Sequence, residues 1–507
     1  MKCVILGDIG WQYLYHLGDE AMTEAAIDLL VERGVEQITL VAAQPAVAEE
    51  FYGHPAVKRF GFSSKWSREK LERELDSVSL RLLDDESPLH QAVRAADAVL
   101  IAGGGNMNSE HAYHLYERVA LKRLAEQHGK PLFVTSQTIG PMLRPRDREL
   151  AAEIIDYATC FGAREETSYQ LALELGGVPG RVVRTMDDAM MLKARDEDRR
   201  HVGHMGLSER YIVASFTSHR GTSGLSEEEY IEKIANTLDA LAVRFDADVA
   251  LVPHTGSLDL SVRKGDQLSN AEVAAASSSR RLKPLEMQTA RQAVALTEGA
   301  ILSVSTRYHP TVFGPAGRTP TASISTSYYS SVRMRGSMSN VGLKGFVVPA
   351  TSWQLAEPAF AEIVDRADDY RRHIEAVSTQ RNAEQSTWWD AIVASARGAA
   401  WEGGTDLREV SNFEPAGAWA EEVEHVTGVF DLFGREKVWS KWFAEDRAVA
   451  QERVAVLEER VTSLEASLER SRAASRQLEA RAVAAENRRV VRLVDRLGRL
   501  ALPFTRK

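Results

Sequence analysis

The stretch GAILSVSTRYHPTVFGPAGRTP (299–320) passes from an apolar run directly into Arg307, His309 and Pro310. A short run of this kind, Gly299–Ser305, reads as a strand buried on both faces. Arg307 and His309 then stand at its carboxyl end, where open α/β sheets place their ligands. Pro310 suits the first helical position, since its missing N–H would have no partner there. His309 is thereby expected at or beside the N-cap, facing a cleft, where an imidazole can give and take a proton. An arginine cap and a satisfied interior histidine would explain the same two residues, so the rest of the chain has to decide.

Working outward, short apolar runs alternate with helical patterns through the first two-thirds of the 507 residues. CVILG at Cys3–Gly7 reads as a strand and Asp19–Gly34 as a helix, with Asp19 as its N-cap and Gly34 as its stop. QITLVAA, ADAVLIAGGG, PLFVTSQTIG and ATCFGARE follow as further strands, separated by helices. That alternation predicts βαβ units and a parallel sheet. After the polar stretch 193–210 a second series begins with YIVASFT and continues through DVALVPHTG, GAILSVST and TPTASIST. The organisation expected is an α/β lobe over 1–204, a second over 205–400 with trailing helices, and a linker over 401–440. A coiled coil over 441–487 and a basic amphipathic tail over 488–507 complete it.

The coiled-coil assignment rests on a seam of three- and four-residue steps. Its members are Leu457, Val461, Leu464, Leu468, Ser471, Ser475, Leu478, Ala482 and Ala485. Self-association is the expected consequence. The last twenty residues carry six Arg and one Lys against one Asp, interleaved with Val and Leu. Such a tail can lie on an anionic membrane face, dock onto a partner or remain solvated.

Composition narrows the class. A net charge of −10 argues against a general nucleic-acid binder. Two cysteines without a pairing or metal spacing suit a reducing cytosol, and the N-terminus has no signal-peptide pattern. The histidines are scattered, so no metal site is expected, and no nucleophilic serine motif is present.

Residues of functional type cluster in loops after the predicted strands. Gly18, Asp19 and Glu20 open the first helix; acids there oppose an anion and fit a sugar hydroxyl or a capping role. Gly103, Gly104, Gly105 and Asn106 form a loop that permits close backbone approach to a phosphate or sugar. It is neither a P-loop nor a dinucleotide fingerprint. Gly140-Pro141 marks a turn, and Arg164 just beyond the next strand can clamp a carboxylate or phosphate, or pair with Glu165 or Glu166 on the surface. In the second lobe, His254 joins Arg307 and His309 at the strand ends.

In order and spacing these motifs resemble the polysaccharide pyruvyl transferase family. The residues concerned are Gly18-Asp19-Glu20-Ala21, Gly103-Gly104-Gly105, Gly140-Pro141, Arg164-Glu165-Glu166-Thr167-Ser168 and Arg307-Tyr308-His309, and the likeness spans roughly residues 1–345. The resemblance implies two Rossmann-like lobes of the GT-B kind and an enzyme that moves the pyruvyl group of phosphoenolpyruvate onto two hydroxyls of a sugar. The product is a ketal on a cell-envelope or exported polysaccharide intermediate. It further implies that Arg164 and Arg307 neutralise the donor, and that His309 is the acid/base or a phosphate ligand. No cofactor beyond the donor itself is implied, and the acceptor can be lipid-linked. The cysteines and the N-terminus lead to the expectation of a cytoplasmic protein, and such an acceptor would bring the basic tail to the inner membrane face. The chain departs from the family where Ser330, Ser331 and Arg333 stand in place of the Tyr, Asp and Lys of a Tyr-Asp-x-Lys-like segment; Arg333 is a substrate-binding candidate. GRTP is one residue longer than usual, and Pro315 interrupts the preceding helix. Two other readings compete: a nucleotide-sugar glycosyltransferase of the same build, and a non-catalytic assembly protein of polysaccharide synthesis.

Overall fold

The computed structural model of the chain describes residues 1–81, 86–218 and 221–500. The first series of strands comprises β1 (Lys2–Leu6), β2 (Tyr15–His16), β3 (Gln37–Ala42), β4 (Ala56–Lys58), β5 (Ala98–Ile101), β6 (Gly104–Met107) and β7 (Leu132–Ile139). β8 (Cys160–Ala163) and β9 (Val182–Arg184) follow. The second series comprises β10 (Tyr211–Ser215), β11 (Asp248–Leu251), β12 (Thr255–Gly256), β13 (Leu282–Pro284), β14 (Leu302–Ser305), β15 (Thr321–Ser325) and β16 (Val347–Pro349).

Each series forms a parallel sheet. The first runs β4-β3-β1-β5-β7-β8-β9, with β6 pairing β7, and the second β13-β11-β10-β14-β15-β16. Counted within each lobe, leaving out the short β2, β6 and β12, both orders begin 3-2-1-4-5-6, the doubly wound pattern. Every residue of β5, β10 and β14 is buried, which is why these strands read as unbroken apolar runs rather than alternations. The order reverses between β1 and β5 in one lobe and between β10 and β14 in the other. Those two gaps are the places where a doubly wound sheet opens a crevice.

The lobes are fastened in three ways. β2 pairs antiparallel with β12, joining His16 to Thr255 and Tyr15 to Gly256 across the lobes. Leu17 N donates to His254 O at 3.0 Å, so the first helix begins at Leu17 and His16 is its N-cap. Asp19 therefore lies inside the first turn, a correction to the reading of Asp19 as the cap; the interlobe pairing pulls the start of the helix toward the chain's N-terminus. Arg291 of the second lobe binds Glu24 at 2.5 Å and Asp28 at 2.7 Å on that helix.

The third fastening is the helix Ala367–Ala396. Its first half buries Tyr370, Ile374 and Val377 in the second lobe's core, and its second half buries Trp388, Trp389 and Ile392 in the first lobe's. Each buried aliphatic side chain of this kind contributes about 1.5–3 kcal/mol. This trailing helix thus belongs to both lobes and not to the second alone. The chain forms two compact units, Met1–Leu432 and Phe433–Lys507. The expected linker, 401–440, is irregular only over its first part, because a helix starts at Trp419 and runs to Leu500. Trp419 and Val423 are buried in the first unit's core, which explains why that end is ordered as helix. In the second unit the seam residues Leu457, Val461, Leu464, Leu468 and Leu478 are 52–65% exposed. Residues 501–507 of the basic tail lie outside the described residues.

Candidate active site

The two crevices face one another and form one cleft of about 850 Å³, within the size range of small-molecule sites. β14 ends at Ser305, and Thr306, Arg307, Tyr308 and His309 lead into the helix Pro310–Ala316, with His309 at its N-cap and Pro310 at its first position. Pro315 is accommodated near the end of this short helix, which stops at Ala316.

His309 is held by its neighbours more than by hydrogen bonds. Its ring lies on Gly18: a Cβ built there would come within 1.9 Å of both Nδ1 and Cε1. Gly18 therefore supplies the room that a side chain would take, on a helix turn where its backbone conformation is not itself special. His309 Nε2 is buried and finds no hydrogen-bond partner among the described residues; the Asp187 carboxylate lies 3.9 Å away, too far to bond. Burial, followed by the fields of Arg164, Arg333 and Arg307, holds the imidazole well below its ordinary pKa of 6.5. The ring is neutral at pH 7 in this arrangement.

Three guanidiniums surround it. Arg164 is fully buried; Nη1 donates to Asp187 Oδ2 at 2.6 Å, Nε to Thr138 Oγ1 at 2.8 Å, and the guanidinium lies 4.1 Å above the Tyr308 ring. Its Nη2 has no partner among the described residues and points to Gly105. Arg333 stacks on Tyr329 at 3.8 Å, and its Nη1 reaches the same spot: a Cβ on Gly105 would lie 2.8 Å from it and 3.2 Å from Arg164 Nη2. Arg307 bonds Asp266, which is fixed by the backbone N–H groups of His254 and Thr255 at 3.0 and 3.1 Å. Asp187 and Asp266 fix two of the three guanidiniums, and the N–H groups of Arg164 and Arg333 that still converge on Gly105 make a receptor for a small anion.

The first lobe presents the opposite chemistry. Asp8, at the end of β1, is met by Arg59 Nη1 at 2.9 Å, Arg118 Nη2 at 2.8 Å and His114 Nδ1 at 2.9 Å, and Asn106 Nδ2 also donates to it. Burial would raise its pKa, but Arg118, His114 and Arg59 outweigh that and hold it well below the usual carboxylate range. Asp19 lies beside it, 3.5 Å from Asn106 Nδ2, and burial and the Asp8 charge push its pKa upward. Two neighbouring carboxylates are thus driven apart, the pattern that separates a fixed anion from a proton acceptor.

Nine sequence-derived candidates line the cleft: Gly18, Asp19, Gly105, Asn106, Arg164, His254, Arg307, His309 and Arg333. His254 is buried beneath it, and burial with the fields of His309 and Arg307 lowers its pKa to about 3. Arg164 is a cleft residue and not a surface partner of Glu165 or Glu166: β8 delivers it to the interior, where Glu165, also buried, lies 3.7 Å from its Nε.

Four candidates stand elsewhere. Glu20 turns away from the cleft, since successive helical residues diverge by about 100°. Its carboxyl meets Tyr52 OH and Gly10 N, and burial lifts its pKa to about 8. Gly103 packs against Met22 and Ser136, and Gly104 against Asn106. Gly140 has φ +77° and lies against Met142 N and Leu171, so it makes a turn behind the cleft wall. Asp8, Asp187, Asp266, Tyr308 and Tyr329 were missed. Asp8 had a legible signal, an acid immediately after the first strand. Asp187 and Asp266 had none, because their partners lie 23 and 41 residues away.

Two doubly wound lobes with a ligand cleft between them define a GT-B-like fold, and solved structures share it. A UDP co-structure of S. aureus MnaA aligns with 80% of this chain and 100% of its own at a TM-score of 0.52 and 14% identity. A putative UDP-N-acetylglucosamine 2-epimerase from Listeria monocytogenes aligns with 78% of this chain and 96% of its own, at a TM-score of 0.52 and 12% identity. At such identities the likeness is one of fold. No curated protein matches the sequence. Residues 16–328 match the sequence profile of the polysaccharide pyruvyl transferase family. The chain belongs to that family and is a transferase.

Proposed function

We propose that the protein transfers the pyruvyl group of phosphoenolpyruvate to two hydroxyls of a sugar in a cell-envelope or exported polysaccharide intermediate. The observation that carries this is the meeting of Arg164 Nη2 and Arg333 Nη1 at Gly105, beside Arg307 and a neutral His309. A donor with a carboxylate and a phosphate on adjacent atoms needs several cations at short range, fixed in place before it arrives.

The chemistry then divides by wall. The three arginines bind the donor's anionic groups. A protonated His309 delivers its proton to the methylene carbon, C3, while an acceptor oxygen bonds C2; the second hydroxyl then displaces phosphate. C3 takes the His309 proton, the first hydroxyl's proton passes to Asp19 and returns to solvent, and the second's leaves with phosphate, so the step balances. Asp19 and Asn106, across the cleft, offer an acceptor for hydroxyl protons and a hydrogen-bonding wall for the sugar, and His254 closes the second-lobe side.

The exposed seam of the C-terminal helix suits pairing with a second copy, since apolar residues at heptad spacing are half or more exposed in one chain. Light scattering of the full chain reads this, and a monomer would end it. The basic tail would hold the protein at an anionic inner membrane face, near a lipid-linked acceptor, with the rest of the chain cytoplasmic. Among the described residues no helix is long and apolar enough to cross a membrane.

Calorimetry with phosphoenolpyruvate tests the donor. The wild type should bind, Arg307→Ala should weaken binding by tenfold or more, and His309→Ala should keep measurable affinity. Heat with a UDP sugar and none with phosphoenolpyruvate would transfer the reading to a nucleotide-sugar glycosyltransferase.

A further inference from the structure

Asp187 follows β9 and caps a short helical turn: its Oδ1 accepts from Ala189 N at 2.9 Å, and its Oδ2 accepts from Arg164 Nη1 at 2.6 Å. The same Oδ2 is 3.9 Å from His309 Nε2. The turn is locked from behind, because Trp389 Nε1 and Gln385 Nε2 of the interlobe helix donate to Asp188 at 2.8 and 2.7 Å. One carboxylate oxygen thus stands between a donor-binding arginine and the orphaned nitrogen of the histidine.

We propose that Asp187 is the positioning residue of the donor site: it anchors Arg164 and receives His309 as an imidazolium when the donor binds, so that binding draws a proton from solvent. This rests on the phosphoenolpyruvate reading above. The charged and titratable groups facing His309 are Arg164, Arg307, Arg333, Asp187, His254, Tyr308 and, on the helix beneath, Asp19. By themselves the three guanidiniums oppose a charged ring, and Asp187 is largely spent on Arg164. A bound trianion neutralises the guanidiniums, and the balance at His309 reverses. The incoming proton gives both ring nitrogens an N–H. Nε2–H then donates to Asp187 Oδ2, and Nδ1–H, on the Gly18 side at the cleft, is the proton available to C3. After transfer the ring is again neutral, with Nε2–H still turned toward Asp187.

The sign of the pH dependence follows. Between the low pKa of His309 in the free protein and its raised value in the complex, the complex holds more protons. The association constant therefore falls as pH rises through that window, by up to about tenfold per unit. The donor's own last phosphate ionisation, near pH 6, acts at lower pH and in the opposite direction.

Calorimetric titration of the full chain with phosphoenolpyruvate, from pH 7.0 to 8.5 in buffers of contrasting ionisation enthalpy, reads the proton directly. The wild type should take up a substantial fraction of one proton per donor bound. His309→Gln should take up none and show a flat pH profile. Asp187→Asn should lose most of the uptake and bind at least tenfold more weakly, whereas Asp187→Glu should recover part of both. Wild-type binding without proton uptake, or full uptake in His309→Gln or in folded Asp187→Asn, overturns the proposal while leaving the donor in place. If Asp187→Asn does not fold, the wild type and His309→Gln alone decide. Absence of phosphoenolpyruvate binding in the wild type removes the donor reading, and this proposal with it.

Discussion

Asp8 and His309 each stand just past a strand that borders its lobe's reversal gap, Asp8 after β1, the first strand of its lobe, and His309 after β14, the fourth of the other, yet their surroundings are opposite. Asp8 is met by two guanidiniums, an imidazole and an amide, and its charge is settled inside the protein. His309 has three guanidiniums around it, a carboxylate beyond bonding distance and a nitrogen without a partner among the described residues. A buried polar group left unbonded costs about 1–3 kcal/mol, so such an arrangement persists in a fold only with compensation elsewhere. The first cluster is complete without a ligand. The second leaves a ring nitrogen unmet among the described residues.

The contrast can be broken by removing one charge from each side. Arg164→Ala leaves Asp187 and Glu165 buried without their cation, and Asp8→Asn leaves Arg118 short of its anion; each should lower unfolding free energy by about 3–5 kcal/mol in denaturant melts. The two should part on binding. Folded Asp8→Asn should hold phosphoenolpyruvate as well as the wild type or better, and Arg164→Ala should hold it at least a hundredfold more weakly. Equal losses of affinity would mean that both clusters serve the donor, and the distinction between them would fall.

A smaller effect on stability sharpens the same contrast. Gly18→Ala improves helix propensity by about 1 kcal/mol, while its methyl group would occupy the place of the His309 ring. Displacing the buried ring costs about 1–3 kcal/mol, so the melting temperature should hold or fall slightly, and phosphoenolpyruvate binding should drop at least tenfold. A variant that keeps full affinity would show that His309 can move aside, and that its placement over Gly18 is incidental to the site.

Much of the site could be read from residue order, for a local reason. Arg307, His309, Gly105, Asn106 and Arg164 each follow a buried strand within a few residues, and a parallel sheet brings all such ends to one edge. Glu20 failed for an equally local reason that sequence spacing did contain: it is one residue from Asp19 on a helix and must face elsewhere. Arg333 was reached only through a motif. The structure puts its guanidinium at Gly105, so the departure from lysine keeps a cation at that point. Asp187 and Asp266 were invisible, because nothing in a stretch such as TMDDAM indicates which distant arginine its acid will meet.

The sequence by itself determined the alternation of buried strands and helices, the two lobes, the order of the family's motifs and the heptad seam. All of these depend on neighbours along the chain. Only the tertiary structure decided that His309 is neutral, that Asp8 is ionised and Asp19 pushed toward the proton, that Glu20 is buried against Tyr52, and that the helix Ala367–Ala396 ties both lobes to the turn carrying Asp187. Protonation depends on burial and on charges a few ångströms away, and those neighbours come from strands and helices far apart in the chain.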